Sequence, residues 1–222
     1  MVTFLQVEKM DKDIKRGIVI GTSEASKDFL KPLLDSIKDT KYDILIVSNG
    51  GFEYGLAQHI TNLLTQNPNR KASYVVNDFN GWELAVIEQG KKHFDEFVHI
   101  HDTTLIKDIS MFDKLFAIEG HVVLTAGNYH YMGKFVSNNL PNLPRVHDKV
   151  MAIMLEVRWL DDYPYTEFEP DLPVHTLVYE EIHGKRRMRL ENEYMVKWKG
   201  TAWISPEQMA ELSEAILNKA KI

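Results

Sequence analysis

Short apolar runs alternate with stretches of helical periodicity through the first half of the chain. Gly17 to Gly21 is an apolar run between glycines, and apolar positions from Phe29 to Ile37 then recur at helical spacing, with Pro32 bending that helix or marking a late start. The same order repeats, which predicts strands over 43–48, 73–76 and 96–101 and helices over 52–66, from about residue 82, and over 109–118. Such alternation is typical of a mostly parallel sheet covered by helices on both faces.

The regular alternation of predicted strands and helices changes after residue 120. A strand is predicted over 121–125, and the aromatic, glycine-bracketed segment 127–135 favours core or interface packing over a pocket lining. A helix over about 147–159 follows, then a solvated loop over 161–171 that is rich in carboxylates, and a strand over 174–180. Positive charge is concentrated in 183–189 and 197–203, and Ser205 with Pro206 predicts the start of a final helix.

Composition places the chain among ordinary globular proteins. It has 222 residues, of which 44% are hydrophobic and 26% charged. The net charge of -6 argues against nucleic acid as a partner, and the absence of cysteine excludes disulfides and thiolate metal sites. Residues 1–16 lack the apolar core of a signal peptide, and no apolar run has the length of a membrane span, so we expect a cytoplasmic protein.

The first candidate for chemistry is Asp102. The strand over 96–101 ends in His101, Asp102 and two threonines, and the carboxyl edge of a parallel sheet is where ligands bind. The alternative is that Asp102 starts a turn while Asp108 caps the next helix. Neither reading is decided by this segment alone.

Several familiar motifs are missing from the chain. It has no Gly-x-Gly-x-x-Gly or Gly-Lys-Ser/Thr phosphate loop, no Gly-x-Ser-x-Gly elbow and no His-Glu-x-x-His pair. Dinucleotide-binding, P-loop and α/β-hydrolase functions are therefore not indicated.

The order of parts over residues 17–135 resembles the nucleotide-binding half of a GT-A glycosyltransferase, closest to the family 2-like enzymes. The parts that carry the resemblance are the Thr-containing loop in 17–26, the strand and turn in 47–51 and the segment 80–85. Asp102 and Asp108 add to it, because the family has the second Asp of its metal motif and the Asp that begins the next helix at the same spacing. The chain departs from the family at Ile100, which stands where the first Asp of the metal motif is found. Ser48 or Asn49 stands where an Asp often contacts the nucleotide.

The resemblance implies an α/β, Rossmann-like GT-A fold with a C-terminal extension. It divides a single domain over 1–222 into a nucleotide-binding half (17–120), an acceptor side with the basic C-terminal segment (121–204) and a C-terminal helix (205–222). The implied function is transfer of a sugar from a nucleoside-diphosphate sugar, with UDP or GDP, to a hydroxyl of a glycan or other acceptor. The alternatives are a non-catalytic nucleotide-sugar-binding protein, motivated by Ile100, and a sugar nucleotidyltransferase.

The resemblance also implies where the donor and the cation bind. A divalent cation, Mn²⁺ or Mg²⁺, would be held by Asp102, with Thr104 and a histidine such as His183 or His175 as helpers. The positively charged side chains Arg186, Arg187, Lys197 and Lys199 either fold over the diphosphate or form a solvated basic face. The residues implied to contact the nucleotide are Thr22, Ser23, Glu24, Ser48, Asn49, Asn80, His101, Arg186 and Arg187.

The acceptor side is implied to contain Tyr129, His130 and Tyr131. An inverting mechanism needs a carboxylate to deprotonate the acceptor hydroxyl, and Asp148 and Glu156 are the candidates, although both are also typical of a helix surface. The sequence does not predict the sugar, the base, the stereochemical outcome or the oligomeric state.

Overall fold

The computed structural model describes residues 13–48, 53–66, 71–77, 82–126, 129–141, 164–168, 175–182 and 185–200. The predicted helix over 147–159 and the final helix after Ser205 lie outside these ranges. No helix within them has the length and apolar content needed to cross a membrane.

Four parallel strands form the centre of a seven-stranded sheet, as the apolar runs predicted. They are β1 (Arg16–Thr22), β2 (Asp43–Ser48), β3 (Ala72–Val76) and β4 (Glu96–His101). The connecting helices are α1 (Leu30–Ser36), α2 (Tyr54–Gln66) and α3 (Trp82–His93), and α4 (Ser110–Ala117) comes later. Pro32 lies in the first turn of α1, after a 3-10 turn at Lys27–Phe29, which confirms the late helix start.

The remaining strands of this sheet are β6 (Val122–Ala126), β7 (Tyr129–Val136) and β8 (Thr166–Glu167), and its order is β3-β2-β1-β4-β7-β6-β8. Strand β7 is antiparallel to both β4 and β6. The aromatic segment is therefore a sheet strand. The predicted solvated loop over 161–171 contains the short strand β8, since the backbone of exposed residues 166 and 167 pairs with β6.

A second, antiparallel sheet is built from β5 (Thr104–Ile106), β9 (His175–Ile182), β10 (Lys185–Glu191) and β11 (Met195–Gly200), in the order β5-β11-β10-β9. The predicted strand over 174–180 is confirmed as β9. Strand β5 was not predicted, since its three residues are too few to show periodicity and it is stabilised by pairing with β11. Residues 185–189 of the predicted basic segment are thereby fixed in a sheet.

Each face of the large sheet is buried in its own apolar cluster. Ile18, Ile20, Val98 and Ile100 pack on the side of α1, α2 and α4, while Val19, Phe97 and Phe135 pack on the side of α3. Continuous apolar runs such as Ile18 to Ile20 are typical of strands covered on both faces. Ile100, where the family has an acidic residue, is fully buried.

Gly90 allows α3 to pack closely on β4. A Cβ at this position would lie 2.5 Å from Cε2 of the buried Phe97 ring. We expect Gly90→Ala to lower the free energy of unfolding by about 1–2 kcal/mol, since overpacking outweighs the helix propensity of alanine. Gly55→Ala, in α2, is the matched control, because its Cβ would meet only the exposed Glu24 carboxylate. Urea denaturation compares the two variants, and equal stabilities would contradict the close packing.

Candidate functional site

Asp102 lies at the carboxyl edge of the large sheet, directly after β4. Its backbone N–H donates to the Gly21 carbonyl at the end of β1 (3.1 Å), and its Oδ2 accepts a hydrogen bond from the Thr22 hydroxyl (2.7 Å). The side chain of Asp102 is only 4% exposed. The predicted position at the strand edge is confirmed, and the carboxylate is turned into the protein.

The second sheet covers this edge. Strand β11 pairs with β5, with Lys197 opposite Thr104, and the Trp198 N–H donates to the Thr103 carbonyl (2.9 Å). The Trp198 ring packs 5.8 Å from the ring of Phe29, centroid to centroid. The loop after β1, the turn after β4 and strand β11 are therefore held together by backbone pairing and aromatic packing.

The second sheet brings two cationic side chains to Asp102. Arg187 of β10 and Lys197 of β11 are both buried, and the guanidinium of Arg187 lies 4.6 Å from the centre of the Phe29 ring. The positive charge of Lys197 lowers the pKa of Asp102, and the Asp102 carboxylate raises the pKa of Arg187. Asp102, Arg187 and Lys197, with the hydroxyls of Thr22 and Ser26, are called the edge cluster below.

Burial dominates the electrostatics of the edge cluster. It raises the pKa of Asp102 to about 6, although hydrogen bonds from Ser26 and Thr22 and the charge of Lys197 oppose the increase. Burial likewise lowers the pKa of Arg187, against the effect of Asp102. Among the described residues, the edge cluster therefore places two basic side chains beside one carboxylate in a poorly solvated place.

The loop after β1 completes the edge cluster. The Ser23 and Ser26 hydroxyls are hydrogen-bonded to each other (2.9 Å), and Ser26 reaches Asp102. Thr22 and Ser23, both predicted to contact the nucleotide, are therefore brought to the edge. Glu24 is exposed and forms an ion pair with Lys27 instead. Whether any of these residues contacts a nucleotide stays a prediction.

Other predicted residues have structural contacts or lie outside the described ranges. Ser48 is buried, and its carbonyl accepts a hydrogen bond from the Asn77 amide (3.1 Å). Thr104 is buried in β5, where its hydroxyl has no hydrogen-bond partner among the described residues. Tyr129, His130, Tyr131 and Arg186 are described by their backbone only, in β7 and β10. The remaining predicted residues fall outside the described ranges: Asn49, Asn80, Asp148, Glu156 and His183.

His101 lies beside a second group of polar residues, which faces α3. Its Nε2 is in contact with the Glu83 carboxylate, and its ring lies 5.2 Å from the ring of His99, centroid to centroid. Burial lowers the pKa of His99, Glu83 raises it, and Lys197 lowers it further. Glu83 and His99 were missed in the sequence analysis. The available signal was the alternation of His99 and His101, which places both on one face of a strand.

Comparison with known proteins relates the chain to others through its fold. No protein-family model matches it, and no curated protein is significantly similar in sequence. Among solved structures, a mannosyltransferase from Pyrobaculum calidifontis, in complex with GDP-Man and Mn²⁺, superposes with a TM-score of 0.52 at 11% identity. The match covers 72% of this chain and 56% of the other, so the chain spans little more than half the length of that protein.

A weaker similarity is found to a 4-diphosphocytidyl-2C-methyl-D-erythritol synthase from Anaerococcus prevotii. Its TM-score is 0.48 at 12% identity, with 69% of this chain and 86% of the other covered. It is too weak to support an inference by itself. The first match and the order of the large sheet together show that the chain has a GT-A-like fold, which confirms the resemblance predicted from the sequence.

Proposed function

We propose that the protein is a glycosyltransferase that uses a nucleoside-diphosphate sugar, a UDP- or GDP-sugar, as its donor. The observation that supports this best is the edge cluster, in which Arg187 and Lys197 lie beside Asp102 at the carboxyl ends of β1 and β4 in a GT-A-like sheet. Ligands of open α/β sheets bind in this region. The donor would lie across the ends of β1 and β4, with its diphosphate beside Arg187 and Lys197.

The chemistry of the edge cluster suits a diphosphate. The guanidinium of Arg187 is a planar donor that matches phosphate oxygens, and its Nε is buried without a hydrogen-bond partner among the described residues. Phosphate oxygens can satisfy such a donor, and their negative charge is attracted to both basic side chains. Asp102 and Thr22 act as positioning residues, since they hold each other at the edge.

In the proposed reaction an acceptor hydroxyl oxygen attacks the anomeric carbon of the donor sugar. The bond from that carbon to the diphosphate oxygen breaks, and the diphosphate leaves with the electron pair. Arg187 and Lys197 stabilise the negative charge that develops on the leaving group. For inversion, the hydroxyl proton passes to a carboxylate, for which Asp148 and Glu156 remain the candidates, and Tyr129, His130 and Tyr131 remain the proposed acceptor contacts.

The surroundings of Asp102 fit a divalent cation poorly. A cation there would meet Arg187 and Lys197, and Oδ2 of Asp102 already accepts the Thr22 hydrogen bond. The neighbouring Ile100 offers no ligand atom. A bound Mn²⁺ or Mg²⁺ would neutralise the leaving diphosphate, but the two cationic side chains can supply that charge, so the proposed reaction needs no metal at Asp102. The ligand roles of Asp102, Thr104 and His183 stay predictions.

Calorimetric titration with UDP, GDP and their monophosphates tests the proposal. We expect UDP or GDP to bind without added Mn²⁺ and the matching UMP or GMP to bind about 10- to 100-fold more weakly, since the β-phosphate loses charge-assisted hydrogen bonds. No binding of any of the four nucleotides would overturn the proposal. Binding without sugar transfer or donor hydrolysis would favour the non-catalytic alternative. Release of pyrophosphate from a nucleoside triphosphate and a sugar phosphate would favour the nucleotidyltransferase.

A further inference from the structure

Two imidazoles and a carboxylate meet on the side of the large sheet that faces α3. One ligand atom from each of Glu83, His99 and His101 lies within 4.8 Å of the other two. None of its residues belongs to the edge cluster, and the group faces α3. It is called the His-His-Glu group below.

The fold brings the three residues together for simple geometric reasons. His99 and His101 are two positions apart in β4, so both side chains emerge on the same face. Glu83 lies in the first turn of α3, and α3 packs on β1 and β4. Their arrangement is therefore set by a helix and a central strand, the rigid elements on which precise sites are built.

His99 provides an independent reason to expect a ligand. Its side chain is 4% exposed, and its Nε2 is buried with no hydrogen-bond partner among the described residues. A buried polar atom without a partner costs stability and calls for an explanation. On the β1 side the neighbour is Gly21, and even a Cβ there would stay 3.6 Å from this nitrogen. The nitrogen is thus buried but not crowded by β1.

We propose that Glu83, His99 and His101 bind a divalent transition-metal ion of borderline softness, such as Zn²⁺, and leave one coordination position for water. Two nitrogens and one carboxylate oxygen form a donor set that suits Zn²⁺ and is unsuited to Mg²⁺ or Ca²⁺, which prefer oxygen ligands alone. Ligand atoms on bonds of about 2.0–2.2 Å lie roughly 3.4 Å apart in a tetrahedral site. Small side-chain rotations would shorten the distances between the three ligand atoms, which lie within 4.8 Å of one another, to this value.

Access and charge are compatible with this site. The side chains of Glu83 and His101 are 18% and 30% exposed, so an ion can enter from solvent on their side while His99 anchors the buried side. Glu83 supplies negative charge. Lys197 acts electrostatically on His99 and opposes the cation, and it also interacts with the carboxylate of Asp102, which partly offsets its charge.

Titration of the full-length chain with Zn²⁺ tests this site, with Co²⁺ as a spectroscopic substitute. We expect one ion per chain and intense visible absorption of the Co²⁺ form. Glu83→Gln and His101→Gln should each weaken Zn²⁺ binding at least about 100-fold, since loss of an outer-shell partner alone costs about 10- to 100-fold. These two side chains are partly exposed, so their variants are expected to fold, and circular dichroism checks that they do.

His93→Gln is the matched control. His93 lies at the opposite end of α3, where its Nδ1 is bonded to the Gln89 carbonyl (2.8 Å), and its loss should leave Zn²⁺ affinity unchanged. Failure of the wild-type chain to bind Zn²⁺ would overturn the site. So would equal affinity of wild type and His101→Gln, since the ion would then be held by other histidines. The titration needs no nucleotide, so it can fail or succeed independently of the proposed glycosyl transfer.

Discussion

Asp102→Asn is expected to raise the free energy of unfolding at pH 8 by about 2 kcal/mol, and the gain should shrink toward zero as the pH falls to about 4. The reason is that burial raises the pKa of Asp102 from 3.8 to about 6. At pH values between 3.8 and about 6, the folded chain binds more protons than the unfolded chain. The contribution of Asp102 to stability is therefore present at low pH and is lost as the pH rises through about 6. Asparagine is neutral throughout and can still accept the Thr22 hydrogen bond.

Urea denaturation of wild type and Asp102→Asn across this pH range measures the effect. Asp108→Asn is the control with the opposite sign: hydrogen bonds from Ser110 lower the pKa of the exposed Asp108, so its contribution is present at neutral pH and lost on acidification. If Asp102→Asn were less stable than wild type at every pH, the carboxylate would instead be an essential counter-ion for Arg187 and Lys197.

Arg187→Met is expected to weaken the binding of UDP or GDP by about 10- to 100-fold, which corresponds to the loss of charge-assisted hydrogen bonds to phosphate. Methionine keeps an apolar side chain over the Phe29 ring, so the packing of β10 on the loop after β1 should be retained. The fold should also tolerate the change because burial already disfavours the charge of Arg187. Calorimetric titration of the variant with the diphosphate and the matching monophosphate measures both affinities.

Arg189→Met is the control on the same strand. Arg189 is partly exposed and pairs with Glu191 (2.5 Å), so its loss should leave nucleotide affinity within error of wild type. The role of Arg187 would be refuted if both variants bound the diphosphate as wild type does. An equal loss of diphosphate and monophosphate affinity in Arg187→Met would place the side chain elsewhere than at the β-phosphate.

The parallel half of the fold could be predicted because each of its elements contains its own signal. Strands β1, β2 and β4 are covered on both faces and therefore contain continuous apolar runs, and α2 and α4 present one apolar stripe to the sheet. The position of Asp102 at the carboxyl edge followed from the end of such a run. Strand β5 contains no comparable signal, because three residues are too short for a period.

The composition of the two polar groups could not be predicted in the same way. Lys197 reaches Asp102 only because β11 pairs with β5, and Glu83 reaches His101 only because α3 packs on β4. Both contacts join segments that are distant in the chain or belong to different elements. Basic residues were predicted near the phosphates only through the family resemblance, and the His-His-Glu group was not predicted.

The sequence by itself determined the order of strands and helices from β1 to β4, the parallel core and the sheet edge at which Asp102 lies, since local periodicity decides which faces of a strand or helix are buried. The tertiary structure alone decided that Asp102 is buried beside two cations and that a carboxylate of α3 lies near two histidines of β4. Burial and charge pairing depend on which surfaces pack together, and local sequence patterns do not predict which surfaces those are.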